Sequence, residues 1–178
     1  MKKYNSLILI LITIFFVSAC KKDLIDTIKK VDPGKSSTYP LNGEYWVRLD
    51  TAIISGVDTT WNVDAFGLDY TKITISNTST DKGDSIWIDE PDKTFFPFKV
   101  KASCNPALRV FSVTNGIELY NEVPTTIKLG KLLLDKGITK GGNKTDSIAM
   151  HVFQLDVYPT TTFRLSGVRR TGFTEDDY

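Results

Sequence analysis

Cysteine and histidine are almost missing from this chain of 178 residues: it has Cys20, Cys104 and a single histidine, His151. One histidine denies it the usual histidine-rich zinc set and leaves one candidate base for a Ser-His-Asp triad. His151 sits in Ala149-Met150-His151-Val152-Phe153, and no Gly-x-Ser-x-Gly elbow surrounds any serine. No P-loop or dinucleotide glycine pattern occurs, nor an Asp-x-Asp-x-Asp-Gly loop with its closing Glu. No catalytic residue, metal ligand or cofactor is therefore assigned. Excess charge of one sign is also lacking, with 22 basic against 21 acidic side chains. That balance gives no electrostatic case for nucleic acid. The most apolar stretch, Leu7 to Val17, covers eleven positions, where a bilayer-spanning helix needs about 20.

What stands around that stretch is informative. Lys2 and Lys3 precede it and Val17-Ser18-Ala19-Cys20 follows, which resembles the lipobox of a bacterial lipoprotein signal peptide. The resemblance implies that residues 1–19 are removed and that Cys20 becomes a diacylglycerol-modified N-terminus. More than one acyl chain on one residue gives stable membrane attachment. It also implies a place in the cell envelope, at the outer membrane. Removing Lys2 and Lys3 leaves 20 basic against 21 acidic side chains, net −1. Residues 20–40 read as acylated Cys and linker, with turn chemistry in Asp32-Pro33-Gly34-Lys35-Ser36-Ser37. Cys104 has no remaining disulfide partner and reads as a buried small side chain at a strand end.

From residue 41 to 170 the chain alternates with period two, the signature of strands. Tyr45, Val47 and Leu49 share one face, Ile86 and Ile88 another, and Phe96, Phe98, Val100 and Ala102 a third. Leu108–Val113, Ile117–Tyr120, Ser147–Tyr158 and Thr162–Val168 continue the set. Asn115-Gly116 between two apolar runs predicts a tight hairpin turn, because type I′ needs positive φ at both positions. Only Thr126–Gly137, with Ile127, Leu129, Leu132, Leu133 and Leu134, hints at helix. The pattern predicts an all-β fold: a single antiparallel barrel or sandwich of about eight to ten strands with little helix. Residues 171–178 form an acidic tail, read as a solvated end.

The Gly43-Glu44-Tyr45-Trp46 strand, the lipobox and the β-rich length together resemble Bacteroidetes outer-membrane lipoproteins. They are similar to the lipid-binding putative hydrolase family, over residues 40–170. Gly43 and Trp46 are separated by two residues, against one in the lipocalin signature. The resemblance implies a lipocalin-like barrel enclosing one small apolar, lipid-like ligand. Tyr45, Ile86, Phe96, Phe98, Met150 and Phe163 are the candidate lining, and the same side chains serve equally well as a dry core. A non-catalytic cell-surface interaction or glycan-uptake accessory is the alternative, with Trp61 and Trp87 as candidates for stacking on sugars. The family label suggests a hydrolase, but the sequence shows no catalytic constellation. Asp26-Thr27, Asp50-Thr51, Asp58-Thr59, Asp84-Ser85 and Asp146-Ser147 resemble O-glycosylation acceptors, and each also fits a turn-to-strand step.

Overall fold

The structure is a computed structural model that describes residues 35–55, 58–94 and 97–178. The leader, Cys20, the linker to Gly34 and Phe96 lie outside the described residues. Residues Ser36–Tyr178 form a compact unit of their own. Among the described residues nine strands follow in order: β1 (Gly43–Ser55), β2 (Asp58–Asn62), β3 (Tyr70–Asn77), β4 (Ser85–Asp89), β5 (Lys99–Asn105), β6 (Val110–Ile117), β7 (Pro124–Ile138), β8 (Lys144–Phe153) and β9 (Phe163–Arg169). Every pairing is antiparallel, and β1 pairs with β9 to close the sheet. Eight strands make the barrel. Thr51 pairs with both Asn62 and Phe163, so β2 lies outside, on the flank of β1 that also pairs with β3.

The alternation read from sequence selects the inward face. Tyr45, Val47 and Leu49 are buried, as are Ile73, Ile75, Ile86, Ile88, Phe98, Val100 and Ala102 from the neighbouring strands. Ile148, Met150, Val152, Phe163 and Leu165 complete the opposite wall. Burial of each such aliphatic side chain contributes roughly 1.5–3 kcal/mol, and closure leaves little edge exposed.

Three expectations are corrected. Asn115-Gly116 is not a hairpin turn: it lies inside β6, where the register with β7 shifts between Val113 and Gly116. Asn115 uses its positive φ of 49° in a bulge, and a Cβ on Gly116 would come within 2.5 Å of Val113 Cγ2. The chain instead reverses at residues 118–123, where the buried Glu118 accepts from the backbone N–H groups of Tyr120 and Asn121. The helical hint over Thr126–Gly137 is the strand β7. Bulges between Lys128 and Lys131 and between Leu133 and Gly137 break its period of two, so its leucines fall at helix-like spacings.

The acidic tail, expected in solvent, is docked. Asp176 is fully buried and accepts from Thr139, Thr171 and Asn143. Asp177 accepts from Arg170 and from Trp46 Nε1, while Tyr178 stacks on Tyr70 at 3.9 Å.

The antiparallel order assigns each connection to one of two ends. The lower end carries residues 36–42, the turns 78–84, 106–109 and 139–143, and the tail. The upper end carries β2 and the connections 90–98, 118–123 and 154–162. Below, Tyr45 donates to the Leu41 carbonyl at 2.6 Å and accepts from Arg169 at 2.8 Å. Burial pushes the Tyr45 hydroxyl up to about 12.

Candidate functional site

The interior is packed. Tyr45, Ile86, Phe98 and Met150 have 0% of their surface exposed and Phe163 has 1%. The fold thus brings five of the six candidate lining residues into one buried cluster.

Open volume lies on the outer wall. A groove of about 520 Å³ crosses β5, β6 and β7, lined by Ser103, Asn105, Val110, Ser112, Leu129 and Lys131, with Cys104, Phe111 and Gly130 in its floor. Its shape comes from the β7 bulge. Leu129 takes a positive φ of 56° and stands 73% exposed as the groove's rim. Beside it, Gly130 pairs with Phe111, whose ring and carbonyl leave no room there for a Cβ. A side chain at 130 would push the two strands apart. The volume falls within the range of small-molecule sites, about 300–1,000 Å³.

Cys104 is half-buried, and its Sγ donates to the Gly83 carbonyl at 3.6 Å. Burial, and then the charge of Asp84, push its thiol up. That environment suppresses thiolate chemistry.

A second cleft, of about 410 Å³, runs between β7 and the β8–β9 connection. Lys128 and Phe153 flank it, with Nζ 5.3 Å from the ring centroid, and Thr160–Thr162 form one side. Next to Lys128 across the β7–β8 pairing, His151 stacks with Trp61, the rings 5.0 Å apart, and the Arg164 guanidinium covers Trp61 at 4.4 Å. Burial and then Arg164 hold His151 below its ordinary range. Among the described residues it has no hydrogen bond to a serine or carboxylate. Arg164 and Arg48 both pair with Asp50, which has no exposed surface. Trp61 is thus committed to packing, and Trp87 sits half-buried in β4 between Ser76 and Lys101. Of the described Asp-Ser/Thr steps, Thr59 is exposed, Thr51 and Ser147 are half-buried, and Ser85 is buried.

The upper end holds a carboxyl that sequence reading passed over. Glu90 continues the inward face of Ile86 and Ile88 and is fully buried. Its Oε1 accepts from the Thr94 N–H and from the Thr94 and Thr71 hydroxyls. Its Oε2 has no partner among the described residues. Burial outweighs those hydrogen bonds and raises its pKa. No group of three His, Cys, Asp or Glu side chains capable of holding a metal gathers among the described residues.

The profile of the lipid-binding putative hydrolase family matches residues 30–174, more than three quarters of the chain. The chain belongs to that family. The match spans every strand of the barrel and both clefts, and ends before the docked Asp176. No curated protein matches the sequence.

The groove was not legible in advance. Ser103, Asn105, Ser112 and Lys131 are ordinary outward strand residues, and only the bulge at Leu129 turns their surface into a concavity. The sole sequence signal was the Leu129-Gly130 step, a bulky residue beside a glycine in the middle of an apolar run.

Proposed function

We propose that the protein is a membrane-anchored, non-catalytic lipid-binding module. Cys20 carries the acyl anchor, and the barrel takes a small apolar ligand such as a single acyl chain. The observation that carries this reading is the groove on β5–β7. It has the volume for one such ligand, an apolar floor and rim in Val110, Phe111 and Leu129, and few polar groups to fix a head. Membership of the lipid-binding family supports the ligand class. The packed interior supplies the rigid wall against which the groove keeps its shape. His151, stacked on Trp61 and depressed in pKa, offers no base to a serine.

The test is the native mass of residues 21–178 against its denatured mass, from two expression hosts. A recurring difference, extractable into organic solvent and identified as fatty acid or a similar lipid, is the expected result. The packed interior also favours a second reading, a cell-surface interaction or glycan-uptake accessory protein that holds no lipid. Equal masses from both hosts would select that reading and overturn the first.

A further inference from the structure

We propose that the lower end of the barrel, beside the groove, is a docking surface for an anionic phospholipid bilayer. Three independent features converge there.

The first is unburied aliphatic surface. On β7, Leu129, Leu133, Leu134 and Ile138 are 73%, 43%, 47% and 62% exposed, and Leu108 in the turn before β6 is 67% exposed. Leu108 adjoins β7 through Arg109, whose carbonyl accepts from the Leu132 N–H at 2.9 Å. Scattered single leucines need no explanation, but a cluster of this kind on one hairpin marks an interaction face.

The second is charge. Lys131, Lys136 and Lys144 stand exposed on the same hairpin, and none has an ion-pair partner among the described residues. Asp135 is the only acid between Lys131 and Lys144. The lower end also holds acids, but Asp176 is buried on Thr139, Thr171 and Asn143 and Asp177 is paired with Arg170, which leaves the hairpin itself basic. Lysines beside exposed aliphatics suit an anionic interface, where the apolar side chains enter and the ammonium groups meet phosphate.

The third is where the chain leaves the barrel. Ser37 is tied to Asp81 through its N–H and hydroxyl at 2.8 and 2.7 Å. It also lies against Gly83, whose carbonyl accepts from Cys104 in the groove floor. The N-terminal segment therefore departs one residue's width from the groove. Between Cys20 and Ser36 the chain spans at most about 55 Å when fully extended. An anchor at Cys20 keeps this end at high effective concentration near the bilayer. The docking shares only that anchor with the ligand reading. Where both hold, a lipid reaches the groove without crossing water.

The test is flotation of residues 21–178, which contain the whole compact unit, on phosphatidylcholine vesicles with and without about 30% phosphatidylglycerol. The chain is expected to float with the anionic vesicles and not with the neutral ones. A variant carrying Leu133→Ser, Leu134→Ser and Ile138→Ser is expected to lose roughly tenfold of that binding. Leu119→Ser, at the upper end, is expected to leave it unchanged. No flotation, or equal flotation of the triple variant, overturns the proposal. A concentration-dependent dimer that the triple variant abolishes also overturns it, because a second copy then covers the face. Native mass measured on the same samples separates the two ideas. Retained lipid without flotation removes the docking alone, and flotation without retained lipid removes the ligand reading alone.

Discussion

Around Tyr45, at the lower end of the barrel, buried polar groups are answered by a cation. Arg169 donates to the Tyr45 hydroxyl and to the Pro40 carbonyl, and pairs with Asp146 at 3.3 Å. At the upper end, the carboxyls of Glu90 and Glu118 are answered only by hydroxyls and backbone N–H groups. Glu118 is satisfied that way, but Glu90 keeps one oxygen without a partner among the described residues. A paired buried group is costly to break, because removing one partner strands the other. A carboxyl without a counter-charge is costly to keep ionised. The Arg169 site and Glu90 should therefore respond with opposite sign to the loss of a charge.

The largest effect lies in the seam on which both ends depend. Gly167 of β9 pairs with Val47 of β1, and a Cβ there would collide with the Trp46 carbonyl and the β1 backbone. Gly167→Ala is expected to cost about 4 kcal/mol or more, read as the denaturation midpoint. A loss under about 1 kcal/mol would mean that the seam is looser than described.

At the lower end alone, Arg169→Met removes the donor to the buried Tyr45 hydroxyl and Pro40 carbonyl and the cation beside Asp146, and an expected loss of about 2–3 kcal/mol follows. At the upper end, Glu90→Gln keeps the acceptor for Thr94 and Thr71 and removes the charge. It is expected to stabilise the protein by about 1 kcal/mol at neutral pH. The sign follows from the raised pKa of Glu90. The protonated form is favoured in the folded state, so the stability this group contributes is complete below its unfolded pKa. It is lost as pH rises through the higher folded value. The gap between Glu90→Gln and the wild type should thus shrink toward pH 4, measured by denaturation across that range. A destabilised Glu90→Gln would show that the carboxylate has a cation partner.

The smallest effect on stability should come from the groove. Ser112 is exposed on β6, so Ser112→Trp is expected to change stability by less than about 0.5 kcal/mol. Filling the groove should still weaken binding of a fluorescent fatty acid roughly tenfold. Unchanged affinity would move the ligand elsewhere.

These contrasts also show what the sequence makes readable. Regular pairing preserves the period of two, so Tyr45, Val47 and Leu49 and then Phe98, Val100 and Ala102 announce both strand and inward face. Bulges erase that signal. Asn115 adopts positive φ in a bulge as readily as in a hairpin, so the dipeptide alone does not distinguish them. In β7, the extra residues at Lys128–Lys131 break the period of two and leave Leu129, Leu132 and Leu133 at i, i+3 and i+4, which mimics a helical stripe. The docked tail was hidden for another reason. Asp176 is held by Thr139 and Asn143, and no local pattern ties an acidic tail to a turn more than thirty residues earlier. Glu90 was invisible because an acid ending an apolar strand reads as the start of a loop.

The central claim is that the outer groove on β5–β7, rather than the packed interior, receives the ligand. Cross-linking with a fatty acid bearing a photoactivatable diazirine on its chain, followed by peptide mapping, tests it most directly. The account predicts labels confined to Ser103–Asn105, Val110–Ser112 and Leu129–Lys131. Labels on Ile86, Phe98, Met150 or Phe163 would place the ligand inside the barrel and contradict it.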